Sequence, residues 1–486
     1  MNAMHNNMKK IITICAFSGS LLLMAGCEKV LEVEPVSEIT NATYWKAEGD
    51  VAGYLTGIYS DFRGLMNSTY YLEDRGDEFV LGLEGPTSVA WQQNLNEANA
   101  PNWINFYNII HHCNLLLKYG EPITFSSQQN KNRIMAETYF IRAYTYFMMV
   151  RSWGDVPLVL EPTESDKQAL PARAPAPEVI EQILRDVEQA IALFPEDGFR
   201  NKSRVSKPAA QALKADALLW KAKVLGGSNE DLEGAVAAID QATAGLTLLD
   251  NFGQIFSTEN RNNSEIVFSL HFLRDERSDQ YGSRLKPRDI FVANATNKER
   301  IAFARNGARS NYAPSPKLVA AFNEYSNDVR KDESIIEAVD ASNQVIGLFD
   351  NKFKGTLHPD DRYFDNDIIL YRLGGLLLLK AEALAALGRL GEAKSELDKV
   401  RNRAGIGEYT GAMDKRSLER EILEERFREL YLELKRWPDL LRFHFGGTID
   451  IYEEVPNLNG TQVPLFFPIP RTQLDINPNL VQTEGY

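Results

Sequence analysis

Basic charge is what this chain lacks most plainly. With 53 Lys and Arg against 67 Asp and Glu, its formal charge is -14, and no long basic run offsets the deficit. Such a surface repels phosphate backbones, which excludes a general nucleic-acid binder. Long apolar runs are also missing. The longest, Ile11 to Leu23, is too short to span a bilayer comfortably and is followed at once by polar, charged sequence. The sequence contains no phosphate-cradling glycine loop, no H-E-x-x-H, no G-x-S-x-G and no paired C-x-x-C. Histidine is scarce, and the one pair, His111-His112, occupies adjacent positions that point to different sides of a helix, which argues against a shared metal. No cofactor and no metal site are implied. What is present is ordinary for a large globular core: 486 residues, 44% hydrophobic and 25% charged.

Cysteine is nearly absent, and the three copies have different expected fates. Lys9 and Lys10, the apolar run, and then Met24-Ala25-Gly26-Cys27 have the order of a secretory signal. The small residues before Cys27 resemble a bacterial lipobox, with Met24 in place of the usual Leu. This resemblance implies cleavage before Cys27, acylation of its sulfur and a lipid anchor in a membrane. Cys15 then leaves with residues 1–26, and only Cys113 remains in the body. No internal disulfide is possible, and Cys113 is expected as a small apolar core residue. An acidic tether is expected over 27–40, and a single domain over 41–486.

The body reads as paired amphipathic helices. Apolar positions Ile183, Leu184, Val187, Ile191 and Phe194 follow a 3.6-residue period between Pro177 and Pro195. A second helix is predicted from Asn132 to Arg151, stopped by Gly154 and Pro157. Others are predicted at Trp103 to Lys118, Pro208 to Leu225, Leu232 to Leu246, Ile368 to Leu387, Glu392 to Arg403 and Ser417 to Phe443. Ala381, Leu384, Gly388, Ala393 and Leu397 have spacings that resemble a tetratricopeptide unit. The expected class is all-α: a degenerate tetratricopeptide-like scaffold of helical pairs. Three stretches break the helical rule, around 67–100, 251–311 and 448–486, and loops on a rigid scaffold are where binding residues concentrate. Residues 160–177 read as a stiff surface connection. Glu419 to Glu429 interleave with Arg420, Arg426 and Arg428 as a solvated or ion-paired face. Asp360, Asp361, Asp365 and Asp367 read as an Asp-rich turn in preference to a calcium loop.

Several blocks, in order, resemble the SusD/RagB family. They are Thr43-Tyr44-Trp45; Trp103 to Ile110 with Asn114; Ala136-Glu137 and Ile141 to Tyr144; Trp153 to Pro157; Glu265 to Ser269; and Asp328-Val329-Arg330. Toward the end come Glu424-Glu425-Arg426, Glu429-Leu430, Glu433, Arg436-Trp437, Asp439 to Arg442, Pro468-Ile469-Pro470 and Asn477-Pro478. Leu434 stands where the family often has Gly. The resemblance implies a surface-exposed, non-enzymatic outer-membrane lipoprotein that captures oligosaccharide and delivers it to a TonB-dependent, SusC-like transporter. Relatives associated with peptide uptake supply the alternative; a surface glycosidase has no supporting motif. Arg436, Trp437 and Asp439 are expected to fix helix packing. Relatives tend to place an aromatic platform just before the Trp103 helix. The candidate ligand residues are therefore Asp74, Arg75, Asp77, Trp91 and Asn94, joined by Tyr281, Arg284, Arg305, Arg309 and Tyr312 from the variable region. From His271 to Asn311 there are nine Lys or Arg and five Asp or Glu, a local +4 that suits an acidic glycan, a solvated loop or a seat for the barrel.

Overall fold

The computed structural model describes residues 41–486. The expected signal (1–26), the lipidation site Cys27 and the tether (27–40) lie outside the described residues. Residues 47–486 form one unit, and none of the described helices is long and apolar enough to cross a membrane.

Helices build the scaffold, and local signals set most of their ends. Helix α1 (Glu48–Met66) has no counterpart among the predicted helices, although its buried Val51, Leu55, Ile58, Phe62 and Leu65 recur at helical spacing. Helix α2 (Ile104–Gly120) packs on α3 (Gln128–Trp153), which starts where the Ser127 side chain accepts from the Asn130 N–H and stops at Gly154. Gly154 has φ +71°, a left-handed conformation that suits glycine. From Phe140 to Trp153 the helix is buried all round, as a central helix must be. Helix α4 (Ala176–Leu193) packs on α3 and buries Ile183 and Val187 of the predicted stripe, while Leu184 and Ile191 are half-buried. There Arg142 meets Asp186 in a two-bond pair at 2.7 Å and also reaches Asn114 of α2 at 2.8 Å. Helices α5 (Lys207–Val224) and α6 (Asn229–Thr243) pack as a hairpin, capped by Ser206 and by the Ser228–Asp231 box. Cys113 is fully buried, and burial pushes its thiol pKa up.

Two predicted helices divide. Ile368 to Leu387 is a strand, Ile368–Arg372, followed by helix α8 (Leu373–Ala386). The strand pairs antiparallel with Ile266–Leu270, and both are buried along their whole length. A continuously apolar run carries no period that separates a buried strand from a buried helix, and the pairing partner lies about a hundred residues away. Helix α7 (Pro316–Asn323) precedes this strand in the chain. Ser417 to Phe443 becomes α10 (Lys415–Leu430) and α11 (Arg436–Phe445). Between them Leu432 and Leu434 have φ of 59° and 62°. Pro438 falls in the first turn of α11, where a missing N–H costs nothing, and inside one continuous helix it would have broken the ladder. Helix α9 (Leu390–Arg403) follows α8 across Gly388 and packs on it, burying Ala381, Leu384, Ala393 and Leu397.

The charged face of α10 is ion-paired, and it is buried along its second half while Arg420 stays exposed and Glu421 and Glu424 half-buried. Glu425, Arg426, Arg428 and Glu429 are buried. Arg330 binds Asp328, Glu425 and Glu429, and Arg372 binds Glu429 and Glu433. Three guanidiniums, from Arg403, Arg372 and Arg330, outweigh burial and hold the Glu429 carboxyl well below the usual range. The Asp-rich turn is likewise occupied. Asp360 meets Arg274, Asp361 accepts from the N–H groups of Arg305 and Asn306, and Asp367 meets Arg261 and His271.

Candidate functional site

After α1 the chain turns sharply: the Thr69 carbonyl accepts from the N–H groups of Leu72, Glu73 and Asp74. The turn drives residues 73–78 into the interior. Gly76 is needed there because a Cβ would lie 3.1 Å from the Glu73 carbonyl and 3.3 Å from Arg436 Cγ. The chain then enters strand β1 (Phe79–Leu81), which pairs antiparallel with strand Tyr312–Pro314 in the register Phe79 to Pro314 and Leu81 to Tyr312. This ladder joins the first irregular stretch to the end of the second.

The ladder carries an aromatic group. Tyr312 stacks on Phe79 with ring centroids 5.2 Å apart, and Trp91 lies 6.5 Å from Tyr312. The half-buried Trp91 ring is fixed by its indole N–H, which donates to the Phe79 carbonyl at 3.0 Å. Its own carbonyl accepts from Asn457 at 2.9 Å. The Tyr312 hydroxyl donates to Asp74 at 3.0 Å and accepts from the Ser88 N–H at 2.9 Å. Burial first, and then the Asp74 carboxylate, push the Tyr312 pKa up. The second Asp74 oxygen is buried and has no partner among the described residues.

The candidate residues therefore separate into two sets. Asp74, Arg75, Asp77, Tyr281 and Tyr312 are buried. Asp77 is held by Arg436 and Lys317, which keep its carboxyl below the usual range against the effect of burial. Arg75 has no carboxylate partner among the described residues. It donates to Gln93 and to the carbonyls of Pro464 and Leu465, stacks on Trp437 at 4.6 Å, and burial pushes its pKa down to about 10. The Tyr281 hydroxyl donates to the Leu432 carbonyl at 2.9 Å. These five expected ligand residues form the wall behind the face, because their polar atoms, apart from the one unpartnered Asp74 oxygen, are engaged by the fold. Trp91 is half-buried, and Asn94, Arg284, Arg305 and Arg309 are exposed.

Sequence reasoning passed over Ser88, Gln93 as the partner of Arg75, and Asn457 as the clamp on Trp91. All three lie in the irregular stretches already singled out, Ser88 and Gln93 in 67–100 and Asn457 in 448–486, but no local signal marks Asn457 as a neighbour of Trp91. Behind the wall, Glu73 and Glu78 are buried side by side. Burial pushes the Glu73 carboxyl up to about 8, while the Leu434 N–H donates to it. Burial and then Glu73 push Glu78 up.

Comparison with known proteins places this architecture. Residues 29–219 match a family model described as starch-binding, associating with the outer membrane, and residues 343–486 match the SusD family. The chain belongs to the SusD family. A SusD-like protein of Formosa agariphila is 25% identical, the match covering 98% of this chain and 99% of that protein. The starch-binding protein SusD of Bacteroides thetaiotaomicron is 34% identical over 129 residues, 26% of this chain and 22% of that one. A SusD superfamily structure from Bacteroides fragilis superposes with a TM-score of 0.81 at 25% identity, covering 91% of this chain and 100% of that one. The mainly helical fold expected from periodicity is thus that of SusD proteins, a family of glycan-binding proteins associated with the outer membrane.

Proposed function

We propose that this SusD-family protein captures an oligosaccharide at the face formed by Trp91 and the strand of Tyr312. It then delivers the sugar to a TonB-dependent, SusC-like transporter, from a surface position held by acylated Cys27. The reading rests on one arrangement above all. Trp91 is half-buried and locked from behind by Phe79 and Asn457, so its ring is presented at little entropic cost. Sugars lay their apolar C–H faces on such rings, while their hydroxyls pair with amide and guanidinium groups of the kind supplied by Gln92, Asn94 and the nearby arginines. The protein itself hydrolyses nothing in this scheme.

The test is a screen of the purified protein against neutral and acidic oligosaccharides and against peptides, followed by titration calorimetry. Trp91→Ala is expected to leave the helical circular dichroism intact and to weaken oligosaccharide binding at least about tenfold, roughly 1.4 kcal/mol. Equal affinity of parent and variant removes Trp91 from the site. Retention of peptides alone replaces the oligosaccharide with the peptide reading.

A further inference from the structure

The local excess of positive charge between His271 and Asn311 is only partly neutralised within the fold. Arg274 pairs with Asp360 at 2.9 Å, Lys286 with Asp350 at 2.7 Å and Arg288 with Glu84 at 2.5 Å. Arg305 is exposed and its guanidinium makes no ion pair among the described residues; only its backbone N–H donates to the Asp361 carboxylate. Arg284 and Arg309 are also unpaired among the described residues, and they lie next to the strand of Tyr312. Both are exposed, and among the described residues neither guanidinium makes an ion pair; Arg309 reaches only the Ala308 carbonyl, at 3.3 Å.

The fold brings these two together. The Arg309 N–H donates to the Ser283 carbonyl at 2.9 Å, and the Asn311 N–H donates to the Arg284 carbonyl at 2.8 Å, so the two segments run alongside each other. Arg309 is three residues before Tyr312, which bounds its distance from the aromatic ladder to about 10 Å along the chain. The loop between is tied to the same segment, with the Gly82 N–H on the Asn311 carbonyl and the Glu84 N–H on the Ser310 carbonyl. It leaves Leu81 and Leu83 exposed, at 60% and 47%. Apolar surface, an aromatic ring and two uncompensated guanidiniums thus share one edge of a protein whose net charge is -14.

We infer that the captured glycan is anionic, and that Arg284 and Arg309 bind its carboxylate or sulfate groups while a neighbouring sugar ring rests on Trp91. The inference depends on the glycan reading above. Guanidinium is suited to both anions because its planar fork matches two oxygens at once. In an acidic protein, two exposed arginines without carboxylate partners create a local positive potential that selects for the anion.

The experiment uses the purified protein and four probes of matched length: oligogalacturonate for carboxylate, carrageenan oligosaccharide for sulfate, and neutral galactan and malto-oligosaccharides. At 50 mM salt one anionic probe is expected to bind at least about tenfold more tightly than the neutral ones, with the advantage shrinking at 500 mM as charges are screened. Arg284→Gln and Arg309→Gln, both at exposed positions, are expected to keep the circular dichroism spectrum and each to remove most of that advantage, with any loss of neutral binding smaller than the loss of anionic binding. Whether oligogalacturonate or carrageenan oligosaccharide keeps the advantage identifies the anion. Neutral probes bound as tightly as anionic ones, and lost in Trp91→Ala, overturn the anionic inference and leave the glycan reading standing. An anionic advantage untouched by either arginine variant also overturns it. No retention of any saccharide overturns both.

Discussion

Asp77 and Arg436, 359 residues apart in the chain, face each other through two hydrogen bonds of 2.6 and 2.8 Å in a buried site. The guanidinium of Arg436 also lies 3.9 Å from the centre of the Phe427 ring. This pair binds the segment behind the aromatic face to the start of α11. Removing one partner of such a pair leaves a buried charge with incomplete compensation, which costs about 3 to 5 kcal/mol. Asp77→Asn is therefore expected to lower the urea midpoint by that equivalent without a change in slope. Under conditions where the variant is folded, its oligosaccharide affinity should stay within about threefold of the parent. A variant of parental stability that no longer binds ligand would instead make Asp77 a contact residue.

Glu73 gives the protein an alkaline weakness. The carboxyl has an ordinary value of 4.5 and is pushed up to about 8 by burial in the fold. Between those values the folded state holds a proton that the unfolded state has released. Stability is therefore lost as pH rises through this window, with a slope near 1.4 kcal/mol per unit for one proton. Glu73→Gln keeps an acceptor for the Leu434 N–H and removes the titration. Its melting temperature, relative to the parent, should rise steadily from pH 5 to pH 8 and level off above; a difference independent of pH removes Glu73 as the titrating group.

Leu434 sets backbone strain against burial. A leucine at φ 62° costs about 1 to 2 kcal/mol that glycine would not. The side chain is only 1% exposed, however, and deleting a buried leucine costs about 2 to 5 kcal/mol. Burial is the larger effect, so Leu434→Gly is expected to destabilise by about 1 to 3 kcal/mol in chemical denaturation. A more stable variant would show that strain dominates at this turn.

Cys27 is the proposed anchor. Cys27→Ala should release the protein from outer-membrane fractions and abolish labelling with radioactive palmitate. Continued membrane fractionation together with labelling would place the acyl chains elsewhere.

The existence of most helices, α1 excepted, was legible in the sequence because helix signals are local. Ser127, Ser206, Gly154 and the flanking prolines mark ends within a turn of the residues they serve, and the apolar stripe of α4 repeats every 3.6 residues. The ordered blocks, read together, also identified the family, since each is short enough to survive as a string. The irregular stretches followed from the absence of that period, and the expected position of an aromatic platform before the Trp103 helix from the resemblance to the family. The tertiary structure alone decided which charged residues are surface and which are interior. Asp74-Arg75-Gly76-Asp77 has the composition of an exposed turn, yet it is buried because Arg436, Lys317, Gln93 and the 464–465 carbonyls reach it from distant parts of the chain. Strand Ile368–Arg372 likewise exists because Ile266–Leu270 lies beside it. Burying a charge, or leaving a backbone donor without its helix, is tolerable only when a partner is in place, and nothing within a few residues of Asp77 or Ile368 encodes where that partner will be.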